Sequence, residues 1–341
     1  MEGTFNFNDN SSSAFSDCDS DRSTEFTTTT ENRIQRLLIT CASDNYSDEL
    51  IRRLILDLNS SSIDQQKQAT MEIRLLAKNK SENRLRIAKA GAIKPLISLL
   101  SSQSPVMDLQ LQEYIVTAIL NLSLCDENKE IITSSGAIKP MVKALKTGTP
   151  TAKENAACAL LRLSQTEENK GAIGRCGAIP ALVNLLENGG IRGKKDASTA
   201  LYSLCSVNEN KIRAIKAGIM KPLVELMADF DSNMVDKSAY VMSVLVTVTE
   251  ARTALAEEGG IPVLVEIVEV GTQRQKEIAA AILLKICEEN VSYRVMVCRE
   301  GAIPPLVCLS QSGTIRAKHK VETLIELLRQ PRSSNATVRA S

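Results

Sequence analysis

Gly177-Ala178-Ile179-Pro180-Ala181-Leu182 decides the fold of this chain, because variants of the same hexapeptide return with glycines at Gly91, Gly136, Gly218, Gly259 and Gly301. Successive copies lie 45, 41, 41, 41 and 42 residues apart. A fixed period of that size is the mark of a helical solenoid, in which each repeat buries its apolar face only against its neighbours. The hexapeptide is itself a turn. Glycine ends one short helix by entering the left-handed region, and a proline such as Pro180, Pro262 or Pro304 suits the first turn of the next. A solenoid works through the surface its repeats build, so a binding protein is the class expected and an enzyme the weaker one.

Outward from the hexapeptide, each repeat reads as three helices. A short one opens near Asn83, Asn128, Asn169 or Asn210, where the asparagine is expected as the N-cap. The second begins at the hexapeptide. The third is written most clearly in Glu154-Asn-Ala-Ala-Cys-Ala-Leu-Leu-Arg-Leu-Ser164, whose small residues allow close stacking. Upstream, the stripe Leu50, Ile51, Leu54, Ile55, Leu58 and its successor Ala69, Ile73, Leu76, Ala77 predict an incomplete first repeat. The repeats are expected to end near Arg329, with Pro331 opposing continuation and Arg316, Lys318 and Lys320 shielding the end of the core. The expected fold is therefore an all-α, right-handed superhelix of about seven three-helix repeats over residues 48–330.

On either side the composition changes. Residues 1–47 are rich in Ser, Thr, Asn and Asp, including Ser16-Asp-Cys-Asp-Ser-Asp21, and read as a disordered acidic tail with a short apolar stretch at Ile34 to Leu38 and an acidic residue three positions after Ser16. Residues 331–341 read as a short basic tail with Arg332 and Arg339.

Composition narrows the function further. Lys plus Arg number 41 and Asp plus Glu 40, a net charge of +1, so no global attraction to nucleic acid or membrane is expected. Nine cysteines, without a Cys-x-x-Cys pair, suggest neither a disulfide framework nor a zinc site, and Cys158, Cys205 and Cys287 fall on the apolar stripe as small hydrophobes. No basic start with an apolar run opens the chain, and the longest apolar stretch, Ile278 to Leu284, is too short to span a bilayer. A cytosolic or nuclear protein is expected. His319 is the only histidine and lies within Arg316-Ala-Lys-His-Lys320, so neither a His-based triad nor a His-based metal site has a second candidate. Gly189-Gly190 and Gly193-Lys194 lack the spacing of a phosphate loop and read as a turn between helices. No catalytic residue, cofactor or metal is expected.

The three-helix unit, the spacing and the Asn-Ala-Ala-x-Ala-Leu-x-x-Leu-Ser helix together resemble an armadillo repeat, over about Asp48 to Gln330. More closely, Glu72-Ile-Arg-Leu-Leu-Ala-Lys78, Thr117-Ala-Ile-Leu-Asn-Leu-Ser123, the Glu-Asn-Lys at Glu127 and Glu168, and Arg192-Gly-Lys-Lys-Asp196 resemble the armadillo region of plant U-box ubiquitin ligases. Nothing matches the U-box that precedes the repeats in those enzymes, including its Cys-Pro-Ile and Asp-Pro-Val signatures. The resemblance thus implies a stand-alone interaction module or scaffold without ligase activity. The alternative is a substrate-recognition adaptor or atypical component in ubiquitination.

The resemblance also implies a concave groove lined by the third helices, where a ladder of asparagines clamps an extended peptide because an amide both donates and accepts. Asn121 holds the ladder position, and the following repeats place Arg162, Ser203, Val244 and Lys285 there. The regular ladder and the tryptophans that armadillo proteins use for basic peptides are absent. Arg162 and Lys285, with Lys194, Lys195 and Lys237 nearby, favour instead an acidic or phosphorylated protein segment. One turn earlier, Tyr114, Thr117, Thr199 and Tyr240 are the further candidate contacts, with Tyr240 equally suited to the core.

Overall fold

The computed structural model describes residues 44–102 and 108–330. Residues 44–47, expected as the end of the disordered tail, are helical, and the rest of both tail readings, including Ser16 and the stretch Ile34 to Leu38, lies outside the described residues. Among those described there are twenty α-helices and no strand. They fall into two compact units, residues 44–210 and 211–330, with the helix Asn208–Lys216 running across the division.

The first unit opens on α1 (Asp44–Leu58) and α2 (Ile63–Asn79), the incomplete repeat; α1 begins ahead of Asp48, where the periodicity places the start. Three triplets follow: α3 (Ser81–Lys89), α4 (Ile93–Ser101) and α5 (Leu109–Leu122); α6 (Asp126–Ser134), α7 (Ile138–Thr147) and α8 (Pro150–Leu163); then α9 (Glu167–Arg175), α10 (Ala178–Asn188) and α11 (Ile191–Leu204). Third helices stack in the order α2, α5, α8, α11, and second helices stack beside them as α1, α4, α7, α10. After α12 (Asn208–Lys216), the second unit holds α13 (Met220–Ala228), α14 (Val235–Leu245), α15 (Thr249–Glu257), α16 (Gly260–Val270), α17 (Gln273–Glu289), α18 (Val291–Arg299), α19 (Ile303–Ser312) and α20 (Ile315–Arg329). There α14, α17 and α20 stack as third helices, and α13, α16 and α19 as second helices.

The hexapeptide does what its residues dictate. All six of its glycines have positive φ, between 73° and 92°. At Gly91 the glycine N–H donates to the Ala88 carbonyl at 3.0 Å and the Ala92 N–H to the Ile87 carbonyl at 3.2 Å, which satisfies two of the orphan carbonyls at the helix end. The third helices supply the core: Ala156, Ala157, Ala159, Leu160 and Leu163 of α8 are all fully buried. Each such leucine contributes roughly 1.5–3 kcal/mol by leaving water. Cys158, Cys205 and Cys287 are buried in the same stripe, as small hydrophobes should be. Burial pushes the Cys287 thiol up to about 12.

The asparagines correct the sequence reading. Asn83, Asn128, Asn169 and Asn210 lie inside the first turn of their helices and cap none of them at the N-terminus. Their amides instead reach back to the end of the preceding third helix. Asn83 donates to the Leu76 carbonyl at 3.1 Å, Asn128 to Leu122 at 3.0 Å, Asn169 to Leu163 at 2.9 Å and Asn210 to Leu204 at 2.9 Å. The side chain thus satisfies carbonyls that the end of an α-helix leaves without partners.

After Asn128, Asn169 and Asn210 a lysine ties one repeat to the next: Lys129 to Gln165, Lys170 to Ser206 and Lys211 to Thr247. Further along the chain a single arginine takes both roles. Arg252 donates through Nε to the Val246 carbonyl at 2.8 Å and pairs with Glu289 through NH1, while Arg294 donates to Cys287 at 2.7 Å and to Gln330 at 2.9 Å.

Candidate protein-binding face

The third helices repeat one polar position whose spacing is visible in the chain: Glu113, Glu154, Lys195, Asp236 and Glu277 stand 41 residues apart. In the first unit Glu113 accepts from the Thr149 hydroxyl at 2.6 Å, and Thr149 is the N-cap of α8. Glu154 accepts from the Gly193 backbone N–H at 3.1 Å, at the start of α11. In the second unit Asp236 accepts from Gln275 at 3.3 Å and Glu277 from the N-cap Thr314 at 3.0 Å. Each acid thereby meets the N-terminal end of the next third helix, where unpaired N–H groups and the helix dipole favour negative charge.

These acids also hold several of the cations on the same face. Arg192 lies 3.8 Å from Glu154 and 3.7 Å from Asp196. Its NH2 also donates to Asn155 Oδ1 at 2.8 Å, and the Asn155 amide donates to the Thr117 hydroxyl at 2.9 Å. Lys67 pairs with Asp108 at 2.6 Å, and this hydrogen bond holds the Asp108 carboxyl below its ordinary value. In the second unit Lys320, expected as an end shield, lies 3.8 Å from Glu277, and burial pulls its pKa down.

The candidate residues divide by burial. Tyr114, Thr117, Arg162, Ser203 and Lys285 are half-buried and border solvent, whereas Asn121, Thr199 and Tyr240 are buried, at 3%, 7% and 2% exposure. Asn121 is not an open ladder rung, since its amide donates to the Arg74 carbonyl at 2.9 Å and joins α5 to α2. Thr199 returns its hydroxyl to the Lys195 carbonyl at 2.8 Å. Tyr240 takes the core role: its hydroxyl accepts from Arg274 Nε at 3.0 Å, with the guanidinium 5.1 Å from the ring centroid. Tyr114 has the equivalent cation in the first unit, Arg74 at 4.9 Å. Ser203 shares a hydrogen bond of 2.8 Å with Ser164, and Lys285 pairs with Glu288 at 2.7 Å.

Arg162 stands apart. Its Nε is buried, with no hydrogen-bond partner among the described residues. Lys194 and Lys195 are half-buried nearby in sequence on α11, with no carboxylate partner among the described residues. The Asn155–Arg192–Asp196 network escaped the sequence reading. Its signal was present as the i, i+4 pair Arg192 and Asp196 and as the 41-residue acid column.

Triplets of helices stacked at this period, with first helices tied back to third, define an armadillo-repeat solenoid. The family model described as the plant U-box protein ARM repeat region matches residues 49–341, and the chain belongs to that family. Among curated relatives it is 64% identical over 236 residues to U-box domain-containing protein 4 of Arabidopsis thaliana, covering 69% of this chain and 28% of that protein. It is 54% identical over 290 residues to U-box domain-containing protein 14 of the same plant, covering 85% and 45%. The chain therefore spans less than half the length of these relatives.

Among solved structures, the fold resembles an engineered protein with a TM-score of 0.72 at 22% identity, covering 88% of this chain and 78% of that one. It also resembles a designed armadillo repeat protein in complex with the peptide (KR)4, with a TM-score of 0.59 at 24% identity over 69% and 99%.

Proposed function

We propose that the third-helix face of residues 44–210 binds an extended protein segment bearing carboxylates or phosphate, and that the module acts by binding without catalysis. The observation that carries this reading is Arg162, a half-buried cation whose Nε is buried without a hydrogen-bond partner. Burying a guanidinium donor without a partner costs about 1–3 kcal/mol, a cost that an anion bound at the terminal NH2 groups of Arg162 would offset. A planar guanidinium also suits bidentate pairing with a carboxylate or phosphate. Tyr114, Thr117 and Ser203 border the same face and supply hydroxyl contacts. Lys285 contributes less in this reading, because Glu288 already neutralises it.

The test is an affinity purification from plant extract with the wild-type chain, Arg162→Glu and Lys285→Glu side by side. Partners lost with Arg162→Glu and retained with Lys285→Glu support the reading. Identical recoveries from all three overturn it.

A second reading follows from the relatives, which are U-box proteins matched over their repeat regions. In that reading the module selects substrates for ubiquitination, in the cytoplasm or nucleus. Ubiquitin transfer to the recovered partners, dependent on this chain in a purified reaction, would support it.

A further inference from the structure

We infer that a lysine-lined cleft on the second-helix face of the first unit binds the acidic segment Ser16–Asp21 of this same chain. The cleft is separate from the third-helix face. It has a volume of about 700 Å³ and is lined by Lys139, Lys143 and Lys146 together with Pro140, Val142 and Cys176. The three lysines fall at i, i+4 and i+7 of α7, so they share one helix face within roughly 10 Å of axis. All three are exposed, and among the described residues none has a carboxylate partner. The Cys176-Gly177 turn closes one side, where a methyl group on Gly177 would stand 3.1 Å from Lys146 Nζ. Like charges at this spacing repel on a helix, so the cleft asks for an anionic occupant.

Two features select the occupant. The first is charge complementarity. Asp17, Asp19 and Asp21 form the densest acidic run of residues 1–43 and alternate with Cys18 and Ser20. In an extended bound form, alternate side chains point the same way about 6.5–7 Å apart. That spacing sets one carboxylate against each of the three lysines, whose long stems absorb the difference in pitch.

The second feature is reach. Helix α1 packs beside α4, and α4 beside α7. At 8–10 Å between packed helices, the lysine helix lies about 20 Å from α1. The 22 residues between Asp21 and Asp44 reach about 70 Å at full extension, more than the distance required. A tether long enough to join the two sites makes the contact intramolecular, which strengthens it without any new interaction.

The experiment uses the whole 341-residue chain. A carbodiimide that joins carboxylates directly to amines is applied to an equal mixture of isotopically heavy and light protein, and crosslinked peptides are identified by mass spectrometry. Links from Asp17, Asp19 or Asp21 to Lys139, Lys143 or Lys146, all within heavy or within light chains, support the inference. Heavy-to-light links at these residues would give the cleft to a second copy and overturn it. Links from these aspartates to other lysines alone would overturn it as well.

A second measurement keeps the inference independent of crosslinking chemistry. A fluorescent peptide of residues 12–24 is titrated into the full chain carrying Asp17→Asn, Asp19→Asn and Asp21→Asn, at physiological salt. Adding Lys139→Glu, Lys143→Glu and Lys146→Glu to that chain is expected to weaken binding about tenfold or more with an unchanged thermal transition, since all three lysines are exposed. Unchanged affinity, or no binding to either chain, overturns the inference.

Discussion

Gly174 lies so close to Asn210 that a methyl group on its Cα would stand 1.8 Å from the asparagine Oδ1 and 2.7 Å from its Cγ. Asn210 is fully buried, and its amide donates both to the Leu204 carbonyl at 2.9 Å and to the Lys170 carbonyl at 3.0 Å. The asparagine cannot swing aside without leaving those acceptors unpaired in the interior. Gly174→Ala is therefore expected to destabilise the chain by about 1–3 kcal/mol, although alanine is the better helix former by about 1 kcal/mol. Denaturant unfolding of Gly174→Ala, Asn210→Ala and the double variant checks this. The double should cost clearly less than the two singles added together, because both act on the same bonds.

Gly136 separates backbone strain from crowding. Its φ is +84°, and a Cβ there would meet nothing within 4 Å. Gly136→Val is expected to cost about 1–2 kcal/mol from the left-handed conformation alone, and Gly136→Asn less, since asparagine tolerates that region. Equal unfolding midpoints for the two variants would refute the assignment.

Arg252 is expected to resist replacement by lysine despite the conserved charge. Its guanidinium serves the Val246 carbonyl and Glu289 together, and a single ammonium cannot span both in the same geometry. Arg252→Lys should lower stability by about 1–3 kcal/mol, measured by thermal melting, because Arg252 is buried and an acceptor is left unpaired.

The cysteines are expected to separate by reactivity. Cys176 and Cys308 are exposed, whereas Cys158, Cys205 and Cys287 are buried. The Cys287 thiol, pushed up to about 12, stays protonated at pH 8, and the thiolate is the reactive form. Brief iodoacetamide treatment of the native chain at that pH should label Cys176 and Cys308 and spare the buried three until denaturant is added. Peptide mass mapping reads the outcome.

Much of the fold was legible because it is local and repeated. The glycine of each hexapeptide needs a left-handed residue, and only the identity of that residue matters to the turn, so Gly91 or Gly301 announces it wherever it occurs. The helix stripes follow from the 3.6-residue period in the same way. The asparagines stand at helix starts, as their sequence pattern implies, but their partner lies in the preceding helix. Asn128 looks like an N-cap because its preference for helix ends is local information, but which helix it caps depends on how the preceding one packs.

The candidate face shows the same limit. Spacing alone sets Tyr240 and Lys285 on third helices. That Tyr240 is buried beneath Arg274, and that Glu288 neutralises Lys285, involves contacts that the repeat period leaves open. By itself the sequence determined the repeat, its three helices and its turns, since backbone conformation and apolar periodicity are properties of neighbouring residues. Only the tertiary structure decided which polar groups are spent on holding repeats together and which stay available, because a charge or amide acquires its partner from residues roughly one repeat away.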